Sequence, residues 1–105
     1  MVTAFLLALV IGAPSAATCK GSAELQAKAK VTCEAARKSA LGKLGGKGLR
    51  VRSAELEEEG GKLVYSFDVK RKGKAGVEEV QVDAMTGEVA SVKHESAKDE
   101  AKEKD

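Results

Sequence analysis

Leu63-Val64-Tyr65-Ser66-Phe67-Asp68-Val69 decides the fold, because apolar side chains occupy every second position of this stretch. Successive side chains of a β-strand point to opposite faces, so the apolar set Leu63, Tyr65, Phe67 and Val69 shares one face and Ser66, Asp68 and Lys70 point out. The stretch therefore predicts a strand with one buried face. An antiparallel sheet of such strands needs a second layer over its apolar side.

The flanking sequence predicts further strands joined by short connections. Residues 49–56 alternate as well, but the phase reverses near Ser53, which indicates a β-bulge there. Gly60 and Gly61 separate this strand from the next and are typical of a hairpin turn. Residues 77–82 and 89–93 are two more strands, and Gly87 suits the turn between them.

One amphipathic helix precedes the strands. Thr32 is a good N-cap, and small or aliphatic residues recur every fourth position in a narrow stripe: Ala36, Ala40 and Leu44. The glycine-rich residues 45–48 end the helix. The predicted fold class is α+β, with one main N-terminal helix packed on an antiparallel β-meander of about four strands.

The two ends of the chain differ from this module. Residues 1–17 are apolar and close with small residues, which predicts a cleaved signal peptide and an exported protein, periplasmic or extracellular. The apolar run is about half of the roughly 20 residues that a membrane span needs. Residues 18–30 are a lead-in segment with helical composition, and residues 31–95 are the domain. Residues 96–105 are a charged tail predicted to be disordered or a solvated helix. Lipid anchoring through Cys19 is the alternative form of export.

Cys19 and Cys33 are the two cysteines of the chain. In an oxidising compartment they can form a disulfide. A continuous helix over residues 21–44 would hold them about 20 Å apart, so this bond requires the chain to fold back after Lys20. An intermolecular disulfide and free thiols are equally open.

Charge and motif content argue against several function classes. The chain has 18 Lys and Arg against 16 Asp and Glu, interspersed along the sequence, for a net charge of +2. The basic residues Arg71, Lys72 and Lys74 lack the aromatic neighbours or known motif of a nucleic-acid site, so we interpret them as a solvated loop. If the protein acts as an inhibitor, this loop is the expected partner-contact loop, with an edge strand as the alternative contact. His94 is the sole histidine, and no spacing supplies a metal site, a cofactor site or a nucleophile with its base. The sequence therefore predicts a non-enzymatic protein without a cofactor.

Several segments together resemble the PepSY domain family over about residues 25–95. They are Val31-Thr32-Cys33-Glu34-Ala35-Ala36, Ser53-Ala54-Glu55-Leu56-Glu57, Gly61-Lys62-Leu63-Val64-Tyr65-Ser66-Phe67-Asp68-Val69 and Val80-Gln81-Val82-Asp83-Ala84-Met85-Thr86-Gly87-Glu88-Val89. The last two segments, in this order and spacing, are the most specific part of the resemblance.

The resemblance implies an extracytoplasmic module like those in the propeptides of thermolysin-type metallopeptidases. The expected function is a binding module that modulates or inhibits a secreted peptidase, with a protein partner and no membrane span. The alternative is a cell-envelope interaction or sensing module with no peptidase target. The family motif residues are structural, so the resemblance transfers no catalytic site, and the oligomeric state stays open.

Overall fold

The structure is a computed structural model that describes residues 18–96. The predicted signal peptide and the predicted tail beyond Ser96 lie outside the described residues. Two helices precede four strands: α1 (Ala23–Lys28), α2 (Cys33–Leu44), β1 (Leu49–Glu59), β2 (Lys62–Arg71), β3 (Val77–Asp83) and β4 (Val89–Glu95). The strands lie in the order β1-β2-β3-β4, and all neighbouring pairs are antiparallel. The predicted α+β class and the meander are confirmed.

Helix α2 is set by its caps and its apolar stripe. The Thr32 hydroxyl accepts a hydrogen bond from the backbone N–H of Ala35 at 3.1 Å, which satisfies one amide of the first turn. Gly45 ends the helix with φ 68° and ψ 167°, a positive-φ conformation that glycine reaches without strain. Ala36 and Ala40 are fully buried against the sheet, so small side chains let the helix approach closely.

The lead-in segment is helical over Ala23–Lys28, and residues 29–32 separate it from α2. The backbone N–H groups of Lys30 and Val31 both donate to the carbonyl oxygen of Ala84, each at 3.0 Å. This break turns the chain, so the residues before α1 run back along the sheet instead of extending the line of α2.

Register in the sheet follows the predicted phases. The pairing of β1 with β2 shifts between Val51 and Ser53, which confirms the bulge. Gly60 and Gly61 adopt positive φ values of 55° and 81° in the hairpin turn. Strand β4 continues two residues past the predicted end, to Glu95, because Glu95 pairs with Val77 at the start of β3.

The core lies between α2 and the central strands. Its largest fully buried side chains are Phe67 and Val69 from β2 and Val80 and Val82 from β3. The rings of Tyr65 and Phe67 stack with centroids 6.3 Å apart. The alternation of β2 therefore does what the sequence predicts, since it places one continuous apolar row under the helix.

The sheet face turned away from α2, here called the outer face, is less open than the alternation implies. Val64 and Ser66 lie on this face but are only 5% and 8% exposed. Gln81 Nε2 donates to Ser66 Oγ and to Glu59 Oε1, each at 3.1 Å, so polar side chains of β1, β2 and β3 bond to one another across the outer face. Ser66 points outward as predicted, yet its neighbours shield it from water.

Tyr65 ties the helical layer to the sheet. Its hydroxyl donates to the carbonyl oxygen of Val31 at 2.6 Å, and burial raises the pKa of the phenol above its ordinary value of 10.0. Because the phenol has a higher pKa in the folded than in the unfolded protein, its contribution to the free energy of unfolding is complete below pH 10. This contribution is lost as the pH rises through the folded-state pKa.

We expect Tyr65→Phe to lower the free energy of unfolding at neutral pH by about 1–2 kcal/mol, because the Val31 carbonyl loses its hydrogen bond while the ring stays. At alkaline pH the variant should be destabilised less than the parent, because it has no phenol to ionise at this position. Urea denaturation of both proteins at pH 7 and above pH 10 measures this. A difference that is the same at both pH values would contradict the role given to the buried hydroxyl.

Candidate interaction surfaces

The predicted partner-contact loop is a turn between β2 and β3. Arg71 Nη1 donates to the carbonyl oxygen of Gly45 at 3.0 Å, so this side chain holds the end of α2 against the sheet. Lys72 and Lys74 are exposed, and their backbone N–H groups donate to Gly48 and Arg71. The structure thus gives Arg71 a scaffolding role and leaves Lys72 and Lys74 as the exposed cations of the loop.

Further basic residues, from β1 and β2, lie beside this turn in the fold. A shallow depression beside it is lined by Gly48, Leu49, Arg50, Lys70 and Lys72. Arg50 and Lys70 are register partners on β1 and β2, which brings them together on the outer face. Residues 43–52 and 70–74 contain no Asp or Glu. This corner of the molecule, called the basic corner below, can therefore attract an acidic surface of a partner.

The opposite end of the sheet carries charges of both signs. There the β1–β2 hairpin, the β3–β4 turn and α1 enclose an open cleft of about 460 Å³. Its lining combines apolar Leu63 and Met85 with the charged residues Lys28, Glu58, Lys62 and Asp83.

Ser91 and His94, the serine and the histidine of β4, lie on opposite faces of the sheet. Ser91 Oγ donates to Gln81 Oε1 at 3.4 Å on the outer face. His94 Nδ1 lies 3.1 Å from Glu78 Oε2, and the Glu78–His94 pair is on the helix side of the sheet. Within residues 18–96, no three His, Cys, Asp or Glu side chains come together in a way that could hold a metal ion. The described geometry offers Ser91 no general base.

A disulfide joins Cys19 to Cys33, with their Cα atoms 5.7 Å apart. The bond needs the chain to fold back, and the break between α1 and α2 provides this turn. Gln26 Nε2 donates to the carbonyl oxygens of Cys19 and Gly21, at 3.4 and 3.2 Å, which further fixes residues 18–22. We call residues 18–22 the N-terminal strap.

The strap lies along the outer edge of β1. The N–H of Lys20 donates to the carbonyl of Ala54 at 2.9 Å, and the N–H of Leu56 donates to the carbonyl of Lys20 at 2.6 Å. Lys20 thereby forms a parallel bridge with Glu55. The disulfide and the strap together cover the middle of one sheet edge, which unprotected would present unpaired amide and carbonyl groups.

No helix within residues 18–96 is both long and apolar enough to cross a bilayer. Comparison with known proteins supplies one match. The family model described as the peptidase propeptide and YPEB domain, PepSY, matches residues 30–93. Neither the curated proteins nor the solved structures contain a match to this chain. The family match covers more than half of the chain and includes α2 and nearly all of the sheet, and the chain therefore belongs to the PepSY family.

Proposed function

We propose that this protein is a non-enzymatic extracytoplasmic binding module that modulates a secreted peptidase in the manner of a propeptide. The observation that carries the proposal is the PepSY match over residues 30–93. The proposed partner is a metallopeptidase of the thermolysin type, because that is the class whose propeptides the family resembles.

The disulfide supports export. Disulfides form and persist in oxidising compartments, including the periplasm and the extracellular medium. The bond also uses the sulfur of Cys19, the atom that a lipid anchor would require. A released protein is therefore favoured over an anchored one. N-terminal sequencing and mass measurement of the protein isolated from its own cell test this: a start near Thr18, with Cys19 carrying no lipid, is the expected result.

The basic corner is the proposed contact for acidic groups of the peptidase. Lys72 and Lys74 lie in the exposed turn, while Arg71 is held by Gly45. Charge pairs at the rim of an interface mainly accelerate association and make it sensitive to salt. We therefore expect the exposed lysines to set how fast the complex forms and Arg71 to preserve the shape of the surface.

The test titrates the protein into a thermolysin-type peptidase secreted by the same cell and follows residual peptidase activity. A saturable loss of activity is expected. The double substitution K72E and K74E should weaken the effect by about tenfold at low salt and less at high salt. K28E and K62E are the matched control, because they change the net charge equally at the opposite end of the molecule.

Two outcomes contradict the proposal in different ways. An unaffected peptidase that forms no complex would overturn the modulator function and favour the cell-envelope interaction module. Equal weakening by both double variants would keep the modulator but remove the basic corner as its specific contact, since only net charge would then matter.

A further inference from the structure

The two edges of the sheet are not equivalent. The outer edge of β1 carries the N-terminal strap, which uses the polar backbone groups of Ala54 and Leu56. Strand β4 pairs only with β3, and within residues 18–96 no further strand lies beside it. The meander therefore presents β4 as its open edge.

Hydrogen bonds in the sheet show which residues of β4 face outward. The N–H of Asp83 donates to the carbonyl of Glu88 at 2.8 Å, so the polar backbone groups of Asp83 point toward β4. The backbone groups of successive residues alternate between the two sides of a strand, so Gln81 and Glu79 also point toward β4. Their register partners, Ser91 and Lys93, therefore bond toward β3. Val92 and His94 consequently direct their N–H and carbonyl groups to the open edge.

The same alternation can be checked on the other side of the sheet. If the alternation is followed from β3 through β2 into β1, it predicts that the backbone N–H and carbonyl groups of Ala54 and Leu56 point away from β2. Those are the two residues whose backbone groups bond to Lys20. The outward orientation of Val92 and His94 thus rests on a pattern that the strap already uses at the opposite edge.

Side chains on β4 favour an incoming strand of a particular kind. Val92 is 42% exposed, although its register partner Val80 is fully buried under α2. Lys93 is exposed on the outer face. An added strand with an apolar residue on the helix side and an acidic residue on the outer face would cover Val92 and pair with Lys93.

A second copy of the chain suits this edge poorly. The register of β3 with β4 shifts between Gln81 and Val82, which leaves Ala90 as an unpaired extra residue. A twofold pairing centred on Val92 would meet this bulge twice, and one centred on Lys93 would set two like-charged Lys93 side chains directly opposite each other. One extended segment along residues 91–95 meets neither obstacle. Residues 97–105 are also poor candidates, because their charged, Ala-containing sequence lacks strand-forming residues.

We propose that residues 91–95 of β4 receive an extended segment of the peptidase as a fifth strand of the sheet, with an apolar residue beside Val92 and an acidic one beside Lys93. Added strands gain affinity from backbone hydrogen bonds and specificity from alternate side chains. The inference rests on the proposed function for the identity of the partner and on the strand geometry for the site.

Amide hydrogen exchange, measured on the full protein with and without the peptidase, tests the site directly. Slower exchange at Val92 and His94 on binding is expected, with little change at Ser91 and Lys93, which already bond to β3. A second probe is a synthetic hexapeptide in which Val and Glu alternate. It tests the edge without the peptidase.

Val92→Pro removes one outward N–H without removing a bond to β3, and proline is tolerated on edge strands. We expect it to weaken binding by about tenfold, the loss of about one hydrogen bond. Val92→Thr is the matched control, since it keeps the outward N–H and the branched shape, and it should bind within about threefold of the parent.

The outcomes separate the two proposals. Protection at Val92 and His94 by the hexapeptide alone keeps the edge site and overturns the peptidase partner. Peptidase binding without such protection, and with equal affinity for both Val92 variants, overturns the edge site and leaves the modulator function standing. If neither probe slows exchange at Val92 and His94, the edge site is overturned. This outcome does not depend on whether Val92→Pro folds.

Discussion

Removal of the Cys19–Cys33 disulfide is expected to lower the free energy of unfolding by about 3 kcal/mol. The bond closes a loop of about 15 residues, and in the chain-entropy account a loop of that size restricts the unfolded chain by about this amount. Small domains have roughly 5–15 kcal/mol of stability in total, so the loss is large. Urea denaturation with and without a reductant measures it.

The loss should be accompanied by a local change at the edge of β1. The strap is held by the disulfide, by Gln26 and by the two backbone bonds of Lys20. Reduction leaves only the weaker contacts, so the amide of Leu56, which bonds to Lys20, should exchange much faster.

The double variant C19S and C33S is the control for effects of the reductant itself. It should match the reduced parent in both stability and exchange at Leu56. A reduced protein within 1 kcal/mol of the oxidised one, with Leu56 still protected, would contradict the view that the disulfide holds the strap on β1.

Gly76→Ala is expected to destabilise the protein by about 3 kcal/mol, while Gly73→Ala should cost about 1 kcal/mol. Both glycines belong to the turn between β2 and β3 and have nearly the same positive φ, 80° for Gly73 and 82° for Gly76. An alanine in this conformation costs about 1–2 kcal/mol at either position.

The two sites differ in what a methyl group would meet. A Cβ at Gly73 would enter open space, whereas a Cβ at Gly76 would collide with the carbonyl oxygen of Glu95 and lie 3.1 Å from the Cα of Ser96. Those are backbone atoms at the end of β4, which cannot rotate away. Relief requires the start of β3 and the end of β4 to separate, and overpacking of this kind costs about 1–3 kcal/mol.

Thermal or urea denaturation of the two variants beside the parent measures the difference. Equal losses for both would show that conformational strain alone matters and that β4 is free to move away from Gly76. The comparison also bears on function, because Gly73→Ala should leave the basic corner in place for the peptidase titration.

Much of the architecture could be predicted because its determinants are local. The alternation in residues 63–69, the phase reversal near Ser53 and the N-cap at Thr32 each depend on a few adjacent residues and on the repeat of a strand or helix. Each was confirmed. The burial of Ser66 was not predicted, because it depends on side chains of other strands, Gln81 and Glu59.

The candidate surfaces were predictable only in part. Lys72 and Lys74 stand out as a basic run, but the same run includes Arg71, whose guanidinium is engaged by Gly45. Arg50 joins the corner only because it is the register partner of Lys70. No feature of the local sequence around Arg50 could have indicated that contact.

The sequence by itself determined the class of the fold, the limits of the main helix and the meander of strands, since these follow from side-chain periodicity and turn residues. Only the tertiary structure decided that the chain turns back between α1 and α2, that Cys19 meets Cys33, and that the strap covers β1 while β4 stays open. The reason is physical: periodicity is a property of neighbouring residues, whereas an edge is covered or open according to how segments far apart in sequence pack together.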